Sequence, residues 1–134
     1  MPDYARLAAL HTDAFTRGWS AQEIEALATG PGGFLIDAPR GFTLGRSIAG
    51  EAELLTIVVD KSARGTGAGK ALLAAFETRA AQTGANTLFL EVAADNTPAL
   101  ALYRGQGWQQ TGLRKAYYPR PTGPVDALLL RKST

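Results

Sequence analysis

The chain has 134 residues, 46% hydrophobic and 19% charged, which is long enough for one domain with a real core and too short for two. Its net charge of +2 is small and its Arg and Lys residues are scattered, so a nucleic-acid-binding surface is not indicated, and the composition excludes a disordered chain. Cysteine is absent, ruling out disulfides and thiolate catalysis; no apolar run suits a membrane, and the first residues lack a secretion signal, so a cytoplasmic location is expected.

From about Asp3 to Arg17, Leu7, Leu10, Ala14 and Phe15 recur at helical spacing, with Asp3 available as the cap. Ser20-Ala21-Gln22-Glu23 is a capping box that opens a second, short helix through Ile24 and Leu27, stopped by Gly30-Pro31-Gly32. Phe34 to Asp37 and Phe42 to Ala49 are predicted strands joined by a hairpin-like connection. Glu51 to Asp60 follows, and its Leu54 to Val59 core is apolar on both faces, as in a central strand. After a glycine-rich turn, a helix is expected to bury Gly69, Leu72, Leu73, Phe76 and Ala80 and to end near Gly84. Leu88 to Val92 is a buried strand, then a helix from about Pro98 to Arg104 with Thr97 as cap. Trp108 to Thr111 and Leu128 to Arg131 are the last strands, with Tyr117-Tyr118-Pro119 and Thr122-Gly123-Pro124 as turns. This order predicts a mixed α/β layer. The lone histidine, His11, is expected on a partly exposed helix face, which leaves no material for a multi-histidine metal site, and no metal is expected.

The segment from Val59 to Leu73 carries the strongest chemical signal. Glycines at 65, 67 and 69 allow positive φ and a close approach, so successive N–H groups can converge on one anion. The following helix aims its positive end at the same point, and Arg64 and Lys70 add charge suited to a pyrophosphate. A Walker A loop would need glycine at Arg64 and a hydroxyl at Ala71; a dinucleotide fingerprint would need glycine at Lys70. What remains is Arg-x-x-Gly-x-Gly at Arg64, Gly67 and Gly69.

Period-two alternation puts Glu91 on one face of its strand with Phe89 and Ala93, a carboxylate among apolar neighbours. Burying it requires a partner or a task. Two readings stand: a strand-end glutamate paired with an arginine, or a general base. Tyr103 shares a helical face with Ala99 and Leu102, so by itself it reads as a core tyrosine with its hydroxyl at the rim.

The Arg64 to Lys70 loop resembles the pyrophosphate loop of the GNAT acetyltransferases, which grip acetyl-CoA there. The string from Leu90 to Tyr103, followed by Gly107-Trp108, resembles the second signature of that family, with Trp108 in place of the usual Phe. Leu90-Glu91-Val92, Phe15-x-x-x-Trp19-Ser20, Tyr117-Tyr118-Pro119 and Asp126-Ala127-Leu128 resemble in particular the RimI-type enzymes, which acetylate the N-terminal alanine of a small-subunit ribosomal protein; Lys61 departs from the proline usual there. The resemblance implies a GNAT fold, with a mixed central sheet flanked by helices and, because the helix pattern starts so early, the first edge strand missing or truncated. It implies acetyl-CoA as co-substrate and a protein N-terminus as acceptor, with no direct nucleic-acid or membrane partner. Glu91 becomes the base that deprotonates the α-ammonium and Tyr103 the acid for the departing thiolate. Backbone N–H groups at Ile57, Val58 and Val59 would polarise the thioester carbonyl, while Arg64, Gly65, Thr66, Gly67, Ala68, Gly69 and Lys70 hold the pyrophosphate. Asn96 would hold the pantetheine arm or the strand-to-helix turn. Phe15, Trp19, Tyr117 and Tyr118 are candidate walls of the acceptor slot, and Asp126 enters through the resemblance alone. Glu51 and Glu53 read either as partners of a cationic peptide or as solvated charges. Lysine or small-amine acetylation and a non-catalytic CoA-binding module are the alternatives.

Overall fold

Ser20 Oγ accepts the Glu23 N–H at 3.1 Å and Glu23 Oε1 accepts the Ser20 N–H at 3.1 Å, so the capping box starts a helix as its spacing predicts. The computed structural model describes residues 2–14 and 18–134. Within them the elements run α1 (Tyr4–Ala14), α2 (Ala21–Thr29), β1 (Gly33–Ala38), β2 (Gly41–Ile48), β3 (Glu51–Val59), α3 (Ala68–Gln82), β4 (Thr87–Ala93), α4 (Thr97–Gly105), β5 (Gln109–Tyr118) and β6 (Val125–Ser133). Asp3 caps α1 through its carboxylate, which accepts the Arg6 N–H at 3.1 Å. Phe15 lies outside the described residues.

The strands form one sheet of order β1-β2-β3-β4-β6-β5, antiparallel except for β3 with β4. Among the described residues no strand precedes α1, so β1 is the sheet edge, as expected. One face is covered by α3 and α4, whose Leu73, Phe76, Ala80, Leu100 and Tyr103 pack on Leu54, Leu88, Leu90 and Leu130. The other carries α1 and α2, where Leu7 and Ile24 meet Phe42, Leu44 and Val58. Phe76 and Leu73 are fully buried, each contributing about 1.5–3 kcal/mol by leaving water. The helical stripe that predicted α3 is therefore its core face, although Gly69 is only half-buried.

A register shift in the β2–β3 ladder shapes everything that follows. Gly45 pairs with Leu54 and Leu44 with Thr56, leaving Leu55 unopposed. This bulge reverses the facing of β3: Ala52 and Leu54 lie in the core under α3, whereas Val58 joins the core under α1 and α2. Bulges bend their strand and raise its twist. The parallel pairing with β4 accordingly stops at Leu54 opposite Leu90, while β3 continues to Val59 and β4 to Ala93. The two strands part, leaving a seam in the middle of the sheet.

Three expectations need correction. The cap of α4 is Asn96, whose side chain accepts the Ala99 N–H at 3.3 Å; Thr97 is the first helical residue. Tyr117 and Tyr118 belong to β5, which is far longer than predicted and exposed on both faces for most of its length. His11 is buried, 3% exposed, with its ring stacked 4.5 Å from Trp19 and its Nδ1 accepting the Trp19 N–H at 3.0 Å. Trp19 thus packs against α1.

Candidate active site

The turn between β3 and α3 is built around Asp60. Its carboxylate accepts the Ser62 N–H at 2.9 Å and the Ser62 hydroxyl at 2.8 Å, and the Arg40 guanidinium donates to Ser62 Oγ at 3.1 Å. These Ser62 bonds, with smaller help from Arg40 and Arg64, hold the Asp60 carboxyl below the usual carboxylate range. Gly65 (φ 78°) and Gly67 (φ 87°) then take left-handed backbone, and a Cβ at either would meet nothing within 4 Å. Both therefore face open space.

The amides sort into two groups. Arg64 N–H is turned to Lys61 O and Thr66 N–H to Ala63 O, and the Thr66 hydroxyl also donates to Ala63 O. Thr66 therefore closes the turn on itself. In contrast, the N–H groups of Gly65, Gly67, Ala68, Gly69 and Lys70 have no partner among the described residues, and Gly67 caps α3 without a side-chain hydrogen bond. Unpaired amides at a helix start, with the positive end of its dipole behind them, form an anion site. The Arg64 and Lys70 side chains lie exposed beside it.

This cradle opens on the seam. A Cβ at Gly69 would sit 3.7 Å from Val59 Cγ2 and 3.5 Å from Leu102 Cδ2, so the start of α3 packs directly on the end of β3 and on α4. Past Leu54 the β4 side of β3 has no ladder, which leaves the Ile57–Val59 backbone as the seam's wall. Val58 turns its side chain, 2% exposed, into the opposite core and pairs with Phe42 of β2, so Ile57 and Val59 supply the main chain on the seam side.

On the other bank stands Glu91, whose side chain is 23% exposed, with Arg114 Nε at 3.8 Å from Oε2. That separation exceeds a hydrogen bond, and Arg114 is 56% exposed, so the pairing is loose and the carboxylate stays accessible. Tyr103, one helix further, is 5% exposed and tilted against Trp108 with ring centroids 6.0 Å apart. Burial pushes its phenol well above the usual tyrosine range. Among the described residues no buried side-chain polar atom lacks a partner, and no hydrogen bond of the Tyr103 hydroxyl is formed, so that hydroxyl reaches accessible surface. Trp108, where the family pattern has Phe, directs its indole N–H to Glu77 Oε2 at 3.2 Å.

The β5–β6 end adds residues that spacing did not reveal. Arg114 lies over the Tyr117 ring at 5.3 Å and Arg120 over Tyr118 at 5.7 Å, and the two tyrosine rings meet edge-on at 5.1 Å. Arg120 grips Asp95 with two hydrogen bonds, at 2.9 and 3.2 Å. Asp126 Oδ1 accepts the Ala116 N–H at 2.9 Å. Glu53 pairs with Arg46 at 2.8 Å, and Glu51 is exposed. No group of acidic or histidine side chains arranged to hold a metal occurs among the described residues.

Comparison with known proteins agrees with this geometry. Residues 4–108 match the profile of the Acetyltransferase (GNAT) family. The chain is 36% identical over 89 residues to the ribosomal protein bS18-alanine N-acetyltransferase of Escherichia coli, covering 66% of this chain and 60% of that enzyme's length. It is 36% identical over 121 residues to N-alpha-acetyltransferase RimI of Mycobacterium tuberculosis, covering 90% of this chain and 73% of the relative. The crystal structure of the ribosomal-protein-S18-alanine N-acetyltransferase from Escherichia coli superposes with a TM-score of 0.87 at 27% identity, over 98% of this chain and 87% of that one. With a split sheet, an uncapped glycine turn at the start of α3 and a family profile spanning most of its length, the chain belongs to the GNAT acetyltransferase family.

Proposed function

We propose that this chain transfers the acetyl group of acetyl-CoA to the α-amino group of a protein N-terminus, most specifically the N-terminal alanine of a small-subunit ribosomal protein in the cytoplasm. The observation that carries the reading is the seam itself: pairing stops at Leu54 and Leu90, with five free amides on one bank and the Glu91 carboxylate on the other. The residues present fit a diphosphate-bearing thioester. The amides of Gly65 and of 67–70 receive the diphosphate, Arg64 and Lys70 neutralise its outer oxygens, and the glycine turn leaves room for close approach.

Glu91 takes a proton from the acceptor ammonium, directly or through one water. An α-amino group has a reference pKa of ~8, so a carboxylate suffices to expose the free amine near neutral pH. The nitrogen forms its bond to the thioester carbonyl carbon while backbone N–H groups of the Ile57–Val59 wall stabilise the oxygen, and the carbon–sulfur bond then breaks. Tyr103 faces the leaving sulfur. Because burial favours its neutral form, the phenol donates a hydrogen bond to the developing thiolate, and a proton it passes to the sulfur is replaced by the second proton that the nitrogen loses as the amide forms. Asn96 serves the site through the cap of α4, which fixes the helix bearing Tyr103.

A competing reading makes Glu91 a structural partner of Arg114, which lies 3.8 Å away without a hydrogen bond. One incubation tests the transfer and its acceptor, while the role of Glu91 is decided by Glu91→Gln. With acetyl-CoA and an alanine-starting ribosomal peptide, mass spectrometry should find one acetyl group on the α-nitrogen. Modification only of a lysine in an N-blocked peptide would reassign the acceptor, and binding of acetyl-CoA without turnover on any amine would leave a CoA-binding module.

A further inference from the structure

The contacts beside Glu91 form a closed circuit that leaves β4 and returns to it. Glu91 faces Arg114, Arg114 covers Tyr117, Tyr117 meets Tyr118 edge-on, Arg120 covers Tyr118, and Arg120 holds Asp95 in the turn between β4 and α4. Asp95 immediately precedes Asn96, the cap of the helix that carries Tyr103. Each of the three Arg120 guanidinium nitrogens donates in this arrangement: Nε and Nη2 go to the two Asp95 oxygens and Nη1 to Pro119 O. Planar two-point bonding and stacking on a ring are properties that a lysine there would not reproduce.

The tyrosine-bearing tip needs such an anchor. The β5–β6 ladder pairs Arg114 with Ala127 and resumes only at Tyr118 with Val125, so the segment between them is out of register. Ala116 sits there at φ 51°. Bulges of this kind aim side chains without fixing the tip beyond them. Tyr118 connects to Glu91 through Tyr117 and Arg114, hence a shift of the tip is passed to the side chains beside Glu91.

We propose that Asp95 and Arg120 form a clamp that positions Tyr118 against the acceptor side of Glu91, so that Arg120 sets how tightly the acceptor chain is held while leaving the acetyl-CoA cradle untouched. This rests on the acceptor amine meeting Glu91, as proposed above. The cradle lies at the turn between β3 and α3, and the clamp touches none of its residues.

The test is two-substrate kinetics of the full chain with acetyl-CoA and the alanine-starting peptide. Arg120→Ala is expected to raise the peptide KM roughly three- to tenfold, the scale of a partly exposed bidentate pair with ring stacking, with the KM for acetyl-CoA unchanged. Asp95→Ala should match it, the double variant should be no worse than either single, and Arg120→Lys should fall between wild type and Arg120→Ala. An unchanged peptide KM in Arg120→Ala, an equal rise for both substrates, or multiplying effects in the double variant would overturn the clamp while wild-type turnover upholds the acetyltransferase. A wild type that acetylates no amine overturns both.

Discussion

Leu54 and Leu90 form the last pair of the parallel ladder between β3 and β4, beyond which the two strands separate. Leu54 is held there by its antiparallel neighbour Gly45. A Cβ at Gly45 would lie 2.4 Å from Phe34 Cζ and 2.8 Å from Phe76 Cε1, inside the contact distance of packed rings. Gly45→Ala is therefore expected to cost about 1–3 kcal/mol by overpacking. Urea unfolding followed by circular dichroism measures it; a midpoint equal to wild type would show that the rings yield without penalty.

The glycine turn between β3 and α3 separates strain from charge. Gly67→Ala meets no atom within 4 Å but forces alanine to φ 87°, at roughly 1–2 kcal/mol. It should lower both stability and acetyl-CoA affinity. Arg64→Ala, on an exposed side chain, should leave the melting temperature alone and weaken acetyl-CoA about tenfold, the scale of a lost charge-assisted hydrogen bond. Calorimetric titration at low and high salt reads the difference, since only the wild type retains the Arg64 share of the salt dependence.

Where periodicity is local, these elements were legible. The Ser20–Glu23 box and the stripe from Leu72 to Ala80 report hydrogen bonds and packing within one helix, and both are present. The bulge at Leu55 was not legible, because register belongs to two strands and neither sequence marks it. The length of β5 was hidden for another reason: an edge strand exposed on both faces has no alternation to read. Asn96 and Thr97 are both competent caps before Pro98, and only backbone geometry chooses between them. Of the site, the glycine turn, Glu91 and Tyr103 stood out, whereas Arg114 and Arg120 act through partners 23 and 25 positions away.

The two proposed proton carriers predict different losses. Glu91→Gln keeps shape and removes the base, so kcat should fall about 10²- to 10⁴-fold with acetyl-CoA binding retained. Tyr103→Phe keeps the core contact with Trp108 and removes only the donor, so kcat should fall with little loss of stability. A Glu91→Gln enzyme with wild-type kcat would return Glu91 to a structural partner of Arg114.

His11 gives the fold an acid sensitivity with a definite sign. Burial pushes its pKa down from 6.5 to about 4, against a smaller upward pull from Glu23. Between those values the unfolded chain binds a proton that the folded chain refuses, so stability is full above about pH 6.5 and is lost as the pH falls toward 4. Protonation would also remove the Nδ1 lone pair that accepts the Trp19 N–H. At ~1.4 kcal/mol for each pKa unit, the drop from 6.5 to about 4 corresponds to a loss on the order of 3 kcal/mol. His11→Asn can still accept that N–H but does not titrate. Melting temperatures from pH 7 to pH 4.5 should therefore fall more steeply in wild type than in the variant, the carboxylate contributions being common to both; parallel curves would show that the α1–α2 packing absorbs the charge without cost.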